Sequence, residues 1–209
     1  LLIDLDPQGN ATSGTGVDKN ALELTIADVL LDGVSLSDTI VASPAGFDVI
    51  GANRDLAGMD ITLMSKTNSH ELFKTAMAAL VNDQVATNKP PYDYVIIDCA
   101  PSLNLLTINA LVATDGVIIP MQCEYYALEG LADLSQTIER LTELNPKLYI
   151  RGVVRTLFDS RNTLARDVSS RRTFQEISAW QKRQRTACQL SPTSAGQKGR
   201  VLIRNWLLK

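Results

Sequence analysis

The amino-acid sequence predicts an α/β domain with a mostly parallel sheet flanked by helices on both faces. Short runs that are apolar at nearly every position, as strands buried on both faces require, alternate with amphipathic stretches of helical period up to about residue 170. Polar and acidic side chains close several of those runs, at Asp4/Asp6, Asp98 and Gln122/Glu124. In sheets whose strands are joined through helices, working residues stand at the carboxyl ends of strands. These positions are therefore the first candidates for a site.

Taken in order, Leu1–Leu5 is an apolar run interrupted by Asp4 and forms the first strand. Residues 25–31 (TIADVLL) form a short helix that Asp32-Gly33 ends, and Phe47–Ile50 is a strand. Within 69–82, helical spacing puts Leu72, Ala76, Ala79 and Leu80 on one stripe, and Asn88-Lys89-Pro90-Pro91 then breaks the chain. Tyr94–Ile97 is a β-rich run ending in Asp98, followed by a helix over about 102–113 with Ser102 as its N-cap. Gly116–Pro120 is another buried strand. Ala127–Leu144 is a long amphipathic helix, apolar at Leu128, Leu131, Leu134, Ile138, Leu141 and Leu144. Tyr149–Leu157 gives one more strand, and Asn162 opens a helix. Beyond residue 170 no period is sustained until VLIRNWLL, a short strand or helix.

Composition narrows the class. A length of 209 residues suits one domain with a tail, and 45% apolar with 21% charged residues is ordinary for a globular protein. No apolar run approaches the roughly 18 residues of a membrane span. The sequence enters an apolar strand at Leu1 without an initiator Met, basic n-region or Arg/Ser-rich stretch, and so reads as a piece cut inside a domain, without a leader. Cys99, Cys123 and Cys188 have neither disulfide-framework nor zinc spacing; small semi-buried hydrophobes in a reducing cytosol are the simpler reading. His70, the one histidine, has no Cys or carboxylate cluster around it in sequence, which argues against Ser-His-Asp and Cys-His chemistry. Charge divides the chain: residues 171–209 carry nine Lys/Arg and one acid, and the first 170 carry a net −11.

Two acidic patterns carry chemistry. Asp98 closes YDYVIID, where nucleotide-hydrolysing folds place the carboxylate that holds Mg²⁺, often through water; a strand-terminal Asp is equally a simple cap. Asp4 and Asp6 end the first run as D-L-D-P-Q-G-N. Strand alternation puts both carboxylates on one side, an arrangement that a nearby Mg²⁺ or Lys would relieve. Pro7 stops the strand and Gly9 frees the turn. The plainer reading is an acidic turn that starts a loop.

Five segments resemble the ParA/Soj family of partitioning ATPases, in family order over roughly residues 1–169. LLIDLDPQGNATSG resembles the segment after the family's first helix, and YDYVIIDCAPSLNLLTINAL its Walker B strand and next helix. VIIPMQCEYYALEGL, GVVRTLFDSRNTLARDV and VIGANRDLAGMDI resemble further segments, the last with Gly51 where Pro is usual. The resemblance implies a P-loop NTPase-like fold, incomplete here, over residues 1–170, with 171–209 a divergent basic tail. It implies ATP and Mg²⁺ as cofactors. Asp6 would orient or activate the attacking water, Asp4 would order the Mg²⁺ shell, and Asp98 would be the Walker B carboxylate. Thr156 would lie near the adenine. The resemblance further implies an ATP-closed homodimer that binds non-specific DNA, a ParB-type partner that stimulates hydrolysis, and a cytoplasmic, nucleoid-associated place. Arg161 and Arg166 are the candidate DNA contacts, against the plainer reading of a solvated helix face.

Two departures qualify this. The KGGVGKTT loop expected just before Leu1 is not in the sequence, nor is any other G-x-x-x-x-G-K-[ST]. The polypeptide as given is therefore expected to have little or no ATPase activity, and the strand expected with that loop is central to the sheet. After Val168 the family-like pattern ends; a frameshift explains the basic tail, and a genuine DNA-binding tail is the rival reading. The alternatives to a partitioning ATPase are a MinD-like spatial regulator and a non-catalytic DNA- or protein-binding module.

Overall fold

The computed structural model describes residues 1–122, 125–156 and 200–205. Their strands form one sheet in the order β2-β3-β1-β4-β7-β5-β6. These are β1 (Leu2–Leu5), β2 (Ile40–Ala42), β3 (Asp48–Ile50), β4 (Tyr94–Cys99), β5 (Gly116–Gln122), β6 (Ile150–Thr156) and β7 (Arg200–Asn205). Every pairing is parallel except β2 with β3. The helices are α1 (Asn10–Gly14), α2 (Ile26–Asp32), α3 (Met59–Met64), α4 (Leu72–Ala86), α5 (Leu105–Ala113) and α6 (Tyr125–Leu141).

The strands read as apolar on both faces are buried on both at β1 and β5, whereas β4 leaves Tyr94 and Ile96 exposed, at 54% and 39%. Ile3, Asp4 and Leu5 are all at most 1% exposed, although alternate residues of a strand face opposite sides. On β5, Val117, Ile119 and Met121 are buried together with Gly116 and Pro120. The pairing of β5 with β7 covers Gly116–Ile118.

Local chemistry sets the helix ends. Thr25 caps α2, its Oγ1 accepting from the Ala27 N–H while its own N–H donates to Asp28 at 2.7 Å. Gly33 ends the helix at φ 73°, a conformation that costs other residues. On α5 the cap is Asn104, whose side chain accepts from the Thr107 N–H at 3.0 Å, and not Ser102. Ser102 contributes its carbonyl instead, to the Thr107 hydroxyl. The helix thus starts at Leu105, later than its apolar pattern suggests.

On α4 the buried stripe is Phe73, Met77, Leu80 and Gln84; Leu72 and Ala76 are half-buried and Ala79 is exposed. The expected stripe was off by about one residue, roughly 100° of helix rotation. Phe73 wins the inward position because an aromatic ring buries far more area than alanine. The Asn109 side chain on α5 fixes that seat, accepting from the Phe73 N–H at 3.2 Å and donating to Ser69 O and Leu105 O. On α6, Leu131, Leu134, Ile138 and Leu141 are buried as expected, whereas Leu144 lies past the helix end and is 44% exposed. VLIRN proves to be a strand, β7, seated between β4 and β5. The helices expected from Asn162 onward and most of the 171–209 tail lie outside the described residues.

Substituting Phe73→Ala is expected to lower the unfolding free energy by about 3–5 kcal/mol, and Ala79→Ser by no more than about 0.5 kcal/mol. Paired denaturation curves check this; equal costs at the two positions would reject the assigned stripe.

Candidate functional site

The parallel strands bring their carboxyl ends to one edge of the sheet. Asp4 of β1 and Asp98 of β4 are register partners there, with Leu5 opposite Cys99. Continuing across the sheet, Asp98 is level with Arg204 of β7, and Arg204 with Ile118 of β5. Gln122 and Thr156 are partners at the ends of β5 and β6. They stand four residues beyond Ile118, about 13 Å further along the strand. The structure therefore places Asp4 and Asp98 side by side and puts Thr156 further out. Glu124, Arg161 and Arg166 lie outside the described residues.

Asp4 is 0% exposed and fully engaged. Its Oδ2 accepts from the Thr12 N–H at 2.8 Å and from the Thr12 hydroxyl at 2.7 Å. Its Oδ1 accepts from the Asp6 N–H at 3.0 Å. The Thr12 hydroxyl in turn accepts from the Ala52 N–H at 3.0 Å, tying β1, α1 and the segment after β3 into one buried knot. Burial raises the pKa of Asp4, against the pull of the Thr12 and Asp6 hydrogen bonds; the nearby Asp6 charge raises it further.

Asp6 lies one residue past β1, half-buried, on a tight turn. Its backbone carbonyl accepts from the Gly9 N–H at 2.9 Å, and its side-chain Oδ1 accepts from the Gln8 N–H at 2.9 Å. This is the Asx turn foreseen as the plainer reading of D-P-Q-G, and it also leaves the Asp6 carboxylate at the carboxyl edge in a fixed orientation. Gly9 takes φ 60°, and a Cβ there would come within 2.5 Å of Ala52 O. Gly51 is needed for space: a Cβ would lie 2.5 Å from the Leu22 side chain and 3.0 Å from the Thr12 methyl. Thr12 and Lys19, which the sequence reading did not single out, are the residues that hold this turn. Thr12 lay inside the quoted motif, but nothing in a linear pattern shows that a threonine eight residues on folds back onto Asp4.

Cys99 is buried and free, and burial, with the charges of Asp98, Asp4 and Asp6 around it, raises its thiol pKa well above the usual range. It is inert packing, as expected of a buried cysteine. Cys123 and Cys188 lie outside the described residues. Among the described residues, one concavity lies at the amino ends of β1 and β4 beside Tyr92 and Lys89, and another between α2 and α4 beside Leu30 and Asp83. Neither contains the carboxylates of the strand edge. Among the described residues no helix is long and apolar enough to cross a membrane.

A family described as an AAA domain matches residues 1–150. The sporulation initiation inhibitor protein Soj of Bacillus subtilis is 47% identical over 166 residues, which are 78% of this chain and 62% of Soj. The chain belongs to the ParA/Soj family. The chromosome partitioning protein ParA of Caulobacter vibrioides is 44% identical over 171 residues, 81% of this chain and 62% of that protein. The chain thus spans about three-fifths of the length of these ParA/Soj relatives. Among solved structures, cobyrinic acid a,c-diamide synthase from Mycobacterium smegmatis with bound ADP and magnesium superposes with a TM-score of 0.72 at 37% identity. That match covers 85% of this chain and 68% of the synthase. A plasmid partition protein from Borrelia burgdorferi gives 0.63 at 26% identity, covering 97% of this chain and 75% of its own. The ParA/Soj chain accordingly has the P-loop NTPase-like arrangement of a mostly parallel sheet with helices, as its sequence predicted.

Thr12→Val keeps the shape of Thr12 but removes the donor to Asp4 and the acceptor for Ala52. It is expected to cost about 2–4 kcal/mol, measured by denaturant unfolding. The pH dependence of stability tests the burial of Asp4. Its folded pKa is raised, so the folded state holds that proton more tightly than the unfolded chain. The cost of its buried charge is absent at pH below the ordinary carboxylate range and grows as pH rises through the folded value. Asp4→Asn is expected to remove this decline; parallel stability curves for the two proteins from the ordinary carboxylate range upward would refute the assignment.

Proposed function

We propose that this chain is the carboxylate-bearing part of an ATP-dependent DNA-segregation ATPase, in which Asp6 handles the attacking water and Asp98 stands toward the Mg²⁺ shell. The observation that carries the reading is the edge itself: Asp4 and Asp98 in register on adjacent parallel strands, with the Asp6 turn hydrogen-bonded directly to Asp4. The names of the partitioning relatives support it.

The donor chemistry fits Mg²⁺, which prefers carboxylate oxygen and retains several waters. Asp98 is the group that would face those waters. Asp4 already accepts three protein hydrogen bonds, so its share is to fix the loop and add negative field, not to bind the ion directly. Bound Mg²⁺ would neutralise charge on the phosphates of ATP. Asp6, half-exposed and oriented by its turn, is placed to accept a proton from a water or to aim it. Thr156, at the far end of β6, is the candidate for the adenine side. The 209 residues contain no Gly-rich phosphate loop with its Lys and Ser/Thr, so phosphate cradling is not supplied by this stretch. Homodimer closure, a ParB-type stimulating partner, contact with non-specific DNA through Arg161 and Arg166, and a cytoplasmic, nucleoid-associated place complete the proposal.

Titration calorimetry with MgATP, on this chain and on the same chain with its upstream coding sequence restored, is expected to show binding to the longer chain alone. No binding to either would remove the ATPase reading. In the longer chain, Asp6→Ala is expected to retain MgATP binding while slowing hydrolysis by about 10²–10⁴-fold, as loss of a general base does.

A further inference from the structure

Lys19 lies in the connection between α1 and α2, distant from Asp6 in sequence and folded back over its turn. Its Nζ donates to the Gln8 carbonyl. Its stem lies along Gly9, so closely that a Cβ on Gly9 would meet Lys19 Cδ at 2.8 Å and Ala52 O at 2.5 Å. The side chain and the Ala52 carbonyl together wall in the glycine, which explains why the turn closes only without a side chain at this position.

The peptide unit joining Gln8 to Gly9 is consequently held at both ends. Its C=O accepts from the Lys19 ammonium, and its N–H donates to Asp6 O at 2.9 Å. A cation on the carbonyl polarises the amide and strengthens the bond its N–H makes, because hydrogen bonds in a chain polarise one another. One residue earlier, the Gln8 N–H holds the Asp6 carboxylate at 2.9 Å. Gln8 therefore links the Lys19 ammonium on its carbonyl side to the Asp6 side chain on its amide side. The knot below, Asp6 N–H on Asp4 and Asp4 on Thr12, fixes where the turn begins; Lys19 fixes where it ends.

We propose that Lys19 is the positioning residue for Asp6, clamping the Gln8–Gly9 peptide so that the Asp6 carboxylate keeps one orientation at the strand edge. The consequence for catalysis rests on the role of Asp6 proposed above; the clamp itself does not. Lys19→Met keeps the stem against Gly9 and removes the ammonium, and Lys19→Arg restores a donor. Amide hydrogen exchange measured by NMR on the protein is expected to show the Gly9 and Gln8 amides exchanging roughly tenfold faster in Lys19→Met. The amides of β1 and α2 are expected to stay as in the wild type, and Lys19→Arg to recover most of the protection. In the longer chain that binds MgATP, Lys19→Met is expected to lower kcat by roughly tenfold to a hundredfold with KM for ATP unchanged, the mark of a misplaced group and not a lost contact. Unchanged exchange at Gln8 and Gly9 in Lys19→Met would overturn the proposal, as would a uniform rise across β1 and α2, which would reveal a general destabilisation. A longer chain that fails to bind MgATP would overturn the ATPase reading, and the exchange data would still decide the clamp.

Discussion

A single buried carboxylate organises the working edge of this molecule. Asp4 is removed from water altogether and remains tolerable there because three donors converge on its two oxygens. A buried ionised group without such partners costs far more than a domain of this size can absorb. The same three bonds are what join β1 to α1 and to the turn that follows β1. Thr12 extends the connection to Ala52, so the end of β3 is positioned by the same group. Burial and engagement are thus two aspects of one arrangement. The site is rigid because its anchor has no alternative solvent to turn to.

Rigidity at Asp4 is what allows Asp6 to be only half-buried and yet oriented. The strand ends at Leu5, Pro7 forbids its continuation, and the turn closes on Gly9 in a left-handed conformation. Around that turn the glycines are matters of space as much as of dihedral angle. Gly51 admits Thr12 and Leu22 to van der Waals contact with the backbone, where a residue with a Cβ would push the knot apart. Across the sheet, parallel pairing then sets Asp98 beside Asp4 without any further device, since strand register alone fixes the level of each residue.

Much of this was legible in the chain. The apolar runs at Leu1–Leu5, Tyr94–Ile97 and Gly116–Pro120 declared themselves as strands because nearly every position is apolar, which leaves no polar alternation to misread. Residues 25–31 were legible as a short helix ended by Asp32-Gly33, and the structure has α2 there, with Thr25 as its cap and not its first residue. The misassignments came where local signals compete. Both Ser102 and Asn104 could cap α5, and the choice fell to Asn104, whose side chain reaches the Thr107 amide. On α4 two apolar stripes overlap, and the larger Phe73 took the core at the expense of Ala79. The short helices α1 and α3 and the strand β2 carry too few residues for a period to show.

The sequence by itself determined the class of fold, the candidate carboxylates Asp4, Asp6 and Asp98, and the family, because strand-terminal acids and binary pattern are properties of neighbours along the chain. Tertiary structure alone decided what each carboxylate does. It buried Asp4 as an anchor, left Asp6 in a clamped turn, and set Asp98 level with Asp4 on the next strand. It also recruited Thr12, Lys19, Gly51 and Ala52, and seated β7 between β4 and β5. The physical reason is that hydrogen bonds, close contacts and strand register depend on distance in space, and these partners come from well separated parts of the chain: Thr12 and Ala52 lie 40 residues apart, and Asp4 and Asp98 farther still.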